Sequence, residues 1–109
     1  MNNINDMANM ANMAIEKMTY KLVVNCTCDI FPEQYDIICD NNIIGSIRYR
    51  YGHLSCHAYT PFRSIPVFEW TNHDSDGYDG TIPTNHRKTL IQLCKTAIAS
   101  YHIQSIFNV

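Results

Sequence analysis

Alternation of apolar and polar residues runs through the middle of the chain and predicts a series of β-strands. In the clearest stretch, Tyr20 to Ile30, nearly every second residue is apolar, which is the period of a half-buried strand. Pro32 ends this stretch, because proline cannot donate a hydrogen bond to a strand ladder. Similar patterns predict strands over residues 34–40, 43–51 and 54–59, and a short fifth strand over residues 67–70. Tight-turn sequences rich in Asn and Gly join them, so the pattern predicts a β-meander.

Helical periodicity is found at the two ends of the chain. Residues 84–104 carry an apolar stripe at a spacing of three to four residues, formed by Leu90, Ile91, Cys94, Ala97, Ile98 and Tyr101. Residues 1–18 repeat Met, Ala and Asn and predict a short helix or flexible arm, with residues 19–109 as one compact domain. We therefore predict an α+β fold: a single antiparallel sheet of four to five strands with the long C-terminal helix packed on one face.

The composition is that of a small folded domain. The chain has 109 residues, of which 46% are hydrophobic and 17% are charged, values that fit one folded domain and not a disordered chain. It contains neither an apolar run long enough for a transmembrane helix nor a signal-peptide pattern, so we expect a cytoplasmic protein. The five cysteines are odd in number, so we expect them to stay reduced and to pack as small apolar residues.

Four of the ten acidic residues lie in a segment from residue 69 to residue 79 that contains no Lys or Arg. Two glycines and a final proline predict an exposed loop over residues 71–83. Acidic groups on such a loop speed association with a basic surface of a partner protein, and neighbouring aromatic side chains can become buried in the interface. We therefore predict a partner-binding site formed by Glu69, Trp70, Asp74, Asp76, Tyr78 and Asp79.

A nucleic-acid-binding module is the first alternative. Arg48 and Arg50 alternate with tyrosines on one predicted strand, a pattern that can contact phosphates and stack bases. The candidate residues are Arg48, Arg50, Arg63, Arg87 and Lys88. The formal net charge of −2 argues against a general nucleic-acid binder.

A small metalloprotein is the second alternative. Cys26 and Cys28 lie two residues apart on a strand and could join Cys56 and a histidine around one metal ion. Because both cysteines also lie on the apolar stripe of the first strand, we predict that they are core side chains. Residues 72–77 match the start of a calcium loop, but Pro83 stands where the bidentate glutamate is required. We therefore predict no metal and no cofactor.

The chain carries no motif specific enough to name a family, and no phosphate-binding glycine loop or catalytic constellation stands out. Its size and lack of enzyme motifs are typical of small phage and mobile-element proteins that block host proteins. This likeness is one of general character and does not rest on a shared motif. We expect a non-enzymatic binding protein, an anti-CRISPR-like inhibitor of a host protein or nucleic-acid-handling complex. A homodimer formed through a sheet edge is also consistent with the strand pattern.

Overall fold

The computed structural model describes residues 3–29 and 32–107 of the chain. Two helices flank a run of five strands in the order α1 (Asn3–Lys21), β1 (Val23–Cys28), β2 (Glu33–Cys39), β3 (Asn42–Arg50), β4 (His53–Tyr59), β5 (Ser64–Thr71) and α2 (Thr84–Phe107). The strands form one sheet in the order β1-β2-β3-β4-β5, and every neighbouring pair is antiparallel. The predicted α+β fold is therefore confirmed, with five strands in the meander.

Two-residue turns close the central hairpins. Asp40 and Asn41 join β2 to β3 with φ angles of 50° and 69°, and Tyr51 and Gly52 join β3 to β4 with φ angles of 54° and 75°. Positive φ at both turn residues matches the right-handed twist of paired strands and favours Asn, Asp and Gly at these places. At Gly52 a side chain would also collide with Ser75 of the later loop. The turn residues thus fix the register of the three central strands.

The core lies between the sheet and α2. Alternate residues of the central strands point towards this helix, and Ile47, Tyr49, Leu54 and Cys56 are at most 1% exposed. The apolar stripe predicted on α2 faces the sheet and contributes Leu90, Cys94 and Ile98, together with Ala99. Helix α1 packs against α2, and its Ile15 and Met18 lie against the edge of the core.

The first strand begins later than the sequence pattern predicts. Helix α1 continues to Lys21, because Thr19 Oγ1 donates to the carbonyl of Ile15 and the Leu22 amide donates to the carbonyl of Met18. Tyr20 is therefore on the helix surface and is 92% exposed. Strand β1 starts only at Val23, and Ile30 lies outside the described residues.

The prediction that Cys26 is a core side chain is wrong, because its thiol is exposed. Alternation along β1 places Cys26 beside Tyr35 of β2 on the helix side of the sheet, but α2 packs mainly against β3, β4 and β5. Val24 still packs at the edge of the core, near Ile91 of α2, whereas Cys26, further along this edge strand, is left uncovered. Cys28 is half-buried, whereas Cys56 and Cys94 are fully buried.

Two other elements are longer than predicted. Strand β5 covers residues 64–71 and includes Pro66, which an edge strand tolerates where the register shifts opposite Cys56 and His57. Helix α2 extends to Phe107, three residues beyond the predicted end at residue 104. These differences leave the connection between β5 and α2 as a loop over residues 72–83.

Candidate functional site

The 72–83 loop crosses one end of the sheet and is held there by backbone hydrogen bonds. The Asn72 amide donates to the Gly52 carbonyl at 2.8 Å, and the Gly52 amide donates to the Asp79 carbonyl at 3.2 Å. The Glu33 amide then donates to the Gly80 carbonyl at 2.8 Å. The loop therefore leaves β5, passes the β3–β4 turn and reaches the start of β2, so its base is part of the fold.

Asp79 anchors the loop through its side chain. Its carboxylate accepts a hydrogen bond of 2.6 Å from the hydroxyl of Tyr49, which is a buried core residue, and a second from Ser75. Hydrogen bonds from Ser75 and Tyr49 lower the pKa of Asp79 below its ordinary value. Burial, together with the bond to Asp79, raises the pKa of Tyr49 to about 12. Asp79 is thus engaged inside the protein.

A buried ion pair closes the far end of the loop. Glu33 is 1% exposed, and its carboxylate accepts from Arg87 Nε at 2.9 Å, from Arg87 Nη2 at 3.2 Å and from the Ile82 amide at 2.8 Å. Tyr35 donates a further hydrogen bond to the same carboxylate. Burial alone would raise the pKa of Glu33, but the bonds from Arg87, Tyr35 and Ile82 together lower it. Arg87 also donates to the Ile82 carbonyl at 2.9 Å, so this pair ties β2, the loop and α2 together.

The tip of the loop presents Asp74, Asp76 and Tyr78 to solvent. All three are exposed, and Tyr78 is 79% exposed. The local backbone is shaped by side-chain caps: the Asp74 amide donates to Asn72 Oδ1 at 3.1 Å, and the Tyr78 amide donates to Asp76 Oδ1 at 2.9 Å. Such Asx turns hold short segments in one conformation. Two carboxylates and one aromatic ring therefore project from an ordered segment.

The two remaining residues of the predicted partner-binding set lie on β5 and point to opposite faces of the sheet. Trp70 faces the core and packs at ring-centroid distances of 6.5 Å from Tyr49 and 5.6 Å from His86. Glu69 faces the open side of the sheet, where its carboxylate lies 3.6 Å from His53 Nε2. The structure thus brings Asp74, Asp76 and Tyr78 together and separates them from the inward-facing Trp70 and from Glu69.

The basic residues singled out from the sequence do not form one surface. Arg87 is held by the buried Glu33, while Lys88, the next residue of α2, is exposed. Arg63 lies in the β4–β5 turn. Arg48 and Arg50 both project from the open face of the sheet, and the guanidinium of Arg50 lies 5.6 Å from the centre of the Tyr51 ring.

The open face of the sheet contains a polar depression of about 300 Å³. Its lining is mostly hydrophilic and includes Gln34, Asp36, Ser46, Arg48, Ser55, His57, Tyr59 and Ser64. Among the described residues, neither Arg48 nor Asp36 has an ion-pair partner within 4 Å. This face therefore offers separate donors and acceptors to a polar partner without a buried apolar centre.

The cysteines and histidines do not converge on a metal site. Within residues 3–29 and 32–107, no group of three or more His, Cys, Asp or Glu side chains is placed to hold an ion. The buried Cys56 thiol donates instead to the Cys94 carbonyl at 3.6 Å. Its hydrogen bond with Cys94, together with burial, raises the pKa of the Cys56 thiol far above its ordinary value. Cys56 is thus held as a thiol inside the core.

Glu33 and Tyr49 are the two anchoring residues that the sequence analysis missed. Glu33 follows a proline at the start of a strand and has the appearance of an ordinary surface acid. Its ion-pair partner, Arg87, is 54 residues away in the sequence, and Asp79 is 30 residues from its hydrogen-bond donor Tyr49. The one available signal was the alternation that places Glu33 on the same face of β2 as Tyr35 and Ile37, where a charged residue requires a partner.

Comparison with known protein families, with curated proteins and with solved structures gives no match. In the part of the chain that the structure describes, neither helix is long and apolar enough to cross a membrane.

Proposed function

We propose that this protein is a non-enzymatic binding protein that attaches to a basic surface of a partner protein through the tip of its 72–83 loop. In its more specific form, the proposal is that it inhibits a host protein or nucleic-acid-handling complex, as anti-CRISPR proteins do. The partner's basic surface would be one that ordinarily meets nucleic acid, since phosphates and carboxylates are bound by the same Arg and Lys side chains.

The division of roles within the loop is the observation that supports this proposal. Asp79 bonds inward to Tyr49 and Ser75, whereas Asp74 and Asp76 project outward beside the exposed ring of Tyr78. A loop that is already ordered loses less conformational entropy on binding, where fixing one residue costs about 1–2 kcal/mol. The exposed ring can serve as the apolar anchor and the two carboxylates can set the rate of encounter.

A charge-matched pull-down from a candidate host lysate tests this proposal. The variant Asp74→Asn/Asp76→Asn removes two charges from the loop tip, and Asp6→Asn/Glu16→Gln removes two from exposed positions on α1. We expect the wild type and the α1 variant to retain one partner in stoichiometric amount. The loop variant should bind that partner roughly tenfold more weakly at low salt, and the difference should shrink as salt rises.

The variant Tyr78→Ser tests the contribution of the aromatic ring independently of that of the carboxylates. It should weaken the same complex at all salt concentrations, because the loss of apolar contact is not screened. A partner that binds the wild type and both loop variants equally would contradict the assignment of the loop as the contact. The absence of any stoichiometric partner would contradict the binding function itself.

Nucleic-acid binding through the open face of the sheet is a second candidate. It is favoured by Arg48 and Arg50, which project from one face, and by the absence of an ion pair for Arg48 among the described residues. A filter-binding titration with single-stranded DNA and RNA across a salt series tests it. Affinity that falls steeply with salt and with Arg48→Ala would support it, and no retention at low salt would dismiss it.

A further inference from the structure

The two edges of the sheet differ in how they are protected against pairing with another strand. Strand β5 carries Pro66 and Glu69, and natural proteins place proline and charge on edges to prevent such pairing. Strand β1 has the sequence Val-Val-Asn-Cys-Thr-Cys, with neither proline nor charge. Its register on β2 is regular over residues 23–26 and shifts only between Cys26 and Cys28. Proline and charge therefore protect the β5 edge, whereas the β1 edge lacks both and is regular over residues 23–26, where another strand can pair.

The outer side of β1 is accessible. Val23, on the open face of the sheet, is 56% exposed, and Cys26, on the helix side, is exposed because α2 packs mainly against β3, β4 and β5. Among the described residues, the backbone hydrogen bonds of β1 are those of its ladder with β2. An open apolar groove of about 530 Å³ runs beside the strand between Val24 and Ile91 of α2. Another strand could add here without displacing any of the described helices or strands.

Opposite charges that flank β1 favour antiparallel pairing with a second copy of this chain. Lys21, the last residue of α1, lies two residues before β1 begins, Asp29 directly follows β1, and the residues between them are uncharged. Both side chains are exposed, and neither has an ion-pair partner within 4 Å among the described residues. If a second copy pairs antiparallel about Asn25, the end of β1 near Lys21 in one copy meets the end near Asp29 in the other, and symmetry repeats this approach of opposite charges. Parallel pairing would place like charges together instead.

Exposed apolar side chains adjoin this edge and supply further area. Tyr20, at the end of α1, is 92% exposed and lies with Met13 beside a shallow apolar depression. Strand pairing alone buries less than the roughly 800 Å² per partner that stable interfaces need, so neighbouring side chains must contribute. Tyr20 and Val23 are placed to do so at both ends of a two-fold interface.

We propose that two copies of this chain pair through β1 into a two-fold symmetric dimer in which the two five-stranded sheets become one continuous antiparallel sheet. The opposite charges that flank the strand, Lys21 before it and Asp29 after it, favour the antiparallel arrangement. The interface is separate from the tip of the 72–83 loop, so each dimer would carry two such tips.

Sedimentation equilibrium of the full chain with charge-reversal variants tests the dimer. We expect the wild type to have twice the mass of the 12.6 kDa chain. Lys21→Glu and Asp29→Lys should each raise the dissociation constant roughly tenfold, because each replaces two symmetric attractions by repulsions. The double variant Lys21→Glu/Asp29→Lys exchanges the two charges that flank the strand. It should restore the dissociation constant to within about threefold of the wild-type value. Circular dichroism checks that every variant is folded.

Arg63→Glu is the matched control, since it reverses an exposed charge in the β4–β5 turn beside the other edge. It should leave the dissociation constant unchanged within about twofold. A wild-type protein that stays monomeric at the highest concentration measured would overturn the proposal. A dimer that is insensitive to Lys21→Glu, or that the double variant does not restore, would also overturn it, because its interface would then lie elsewhere.

Discussion

Replacing Arg87 by alanine should destabilise the protein by about 3 kcal/mol, because it leaves the buried carboxylate of Glu33 without its countercharge. Removal of one partner from a buried ion pair costs about 3–5 kcal/mol in other proteins. Two features place the expected loss of stability near the lower end of this range. The Ile82 amide and the Tyr35 hydroxyl still donate to Glu33 in the variant, and the Arg87 side chain is 35% exposed, so that water can replace it.

Urea unfolding followed by circular dichroism at pH 7 measures this loss. For a domain whose total stability is about 5–15 kcal/mol, a loss of 3 kcal/mol lowers the midpoint clearly and the melting temperature by about 12 °C. Lys88→Ala is the matched control, because it removes the same charge from the next residue of α2, which is exposed. The control should change the unfolding free energy by less than about 0.5 kcal/mol.

The deficit of the Arg87→Ala variant should also depend on pH. In the wild type the folded-state pKa of Glu33 is lowered, so this carboxylate stabilises the fold above its unfolded pKa and ceases to do so as pH falls. In the variant, burial dominates and raises that pKa, so protonation at acid pH relieves the penalty. The difference in unfolding free energy between wild type and variant should therefore shrink from pH 7 towards pH 4.

Two results would refute this account of Glu33. A loss below about 1 kcal/mol at pH 7, similar to that of Lys88→Ala, would mean that the carboxylate is hydrated and not buried. A large loss that does not change with pH would mean that Arg87 stabilises the protein through packing of its alkyl chain and not through charge.

Two further predictions concern the packing of α2 and the accessibility of the thiols. Gly45→Ala would place a Cβ 2.6 Å from the His57 carbonyl oxygen of β4 and 2.7 Å from Ile98 Cδ1 of α2, so we expect a loss of about 1–3 kcal/mol in urea unfolding. A loss below about 0.5 kcal/mol would show that both β4 and α2 move to make room. In a pulse of iodoacetamide on the native protein, exposed Cys26 should be modified first, whereas Cys56 should react only after unfolding in denaturant; early modification of Cys56 would contradict its burial.

The sequence alone determined the secondary structure of the central strands and of α2. Each of these elements buries one face against the other, so a period of two residues in β3 and β4 and a stripe at helical spacing in α2 follow directly from the packing. The turn residues Asn41 and Gly52 added the hairpin connections. The spacing of apolar residues was sufficient here, because each element contacts the core with one face only.

Local pattern was misleading where burial depends on position within the sheet. The alternation in β1 is as regular as that in β3, yet Cys26 is exposed, because β1 is an edge strand and α2 lies close to it only near Val24. The end of α1 was also missed, since Tyr20 continues the alternation of β1 while belonging to the helix. Periodicity shows which face is apolar and does not show whether another element covers it.

Only the tertiary structure decided which charged residues belong to the fold and which are available to a partner. Asp79 and Asp76 lie in one acidic segment of the sequence, yet Tyr49 engages the first and leaves the second exposed. Arg87 and Lys88 are adjacent, yet the first is bound by the buried Glu33. The hydrogen bond between Tyr49 and Asp79 joins residues 30 apart, and the ion pair between Glu33 and Arg87 joins residues 54 apart. Contacts at such separations follow from chain topology, because they have no sequence period.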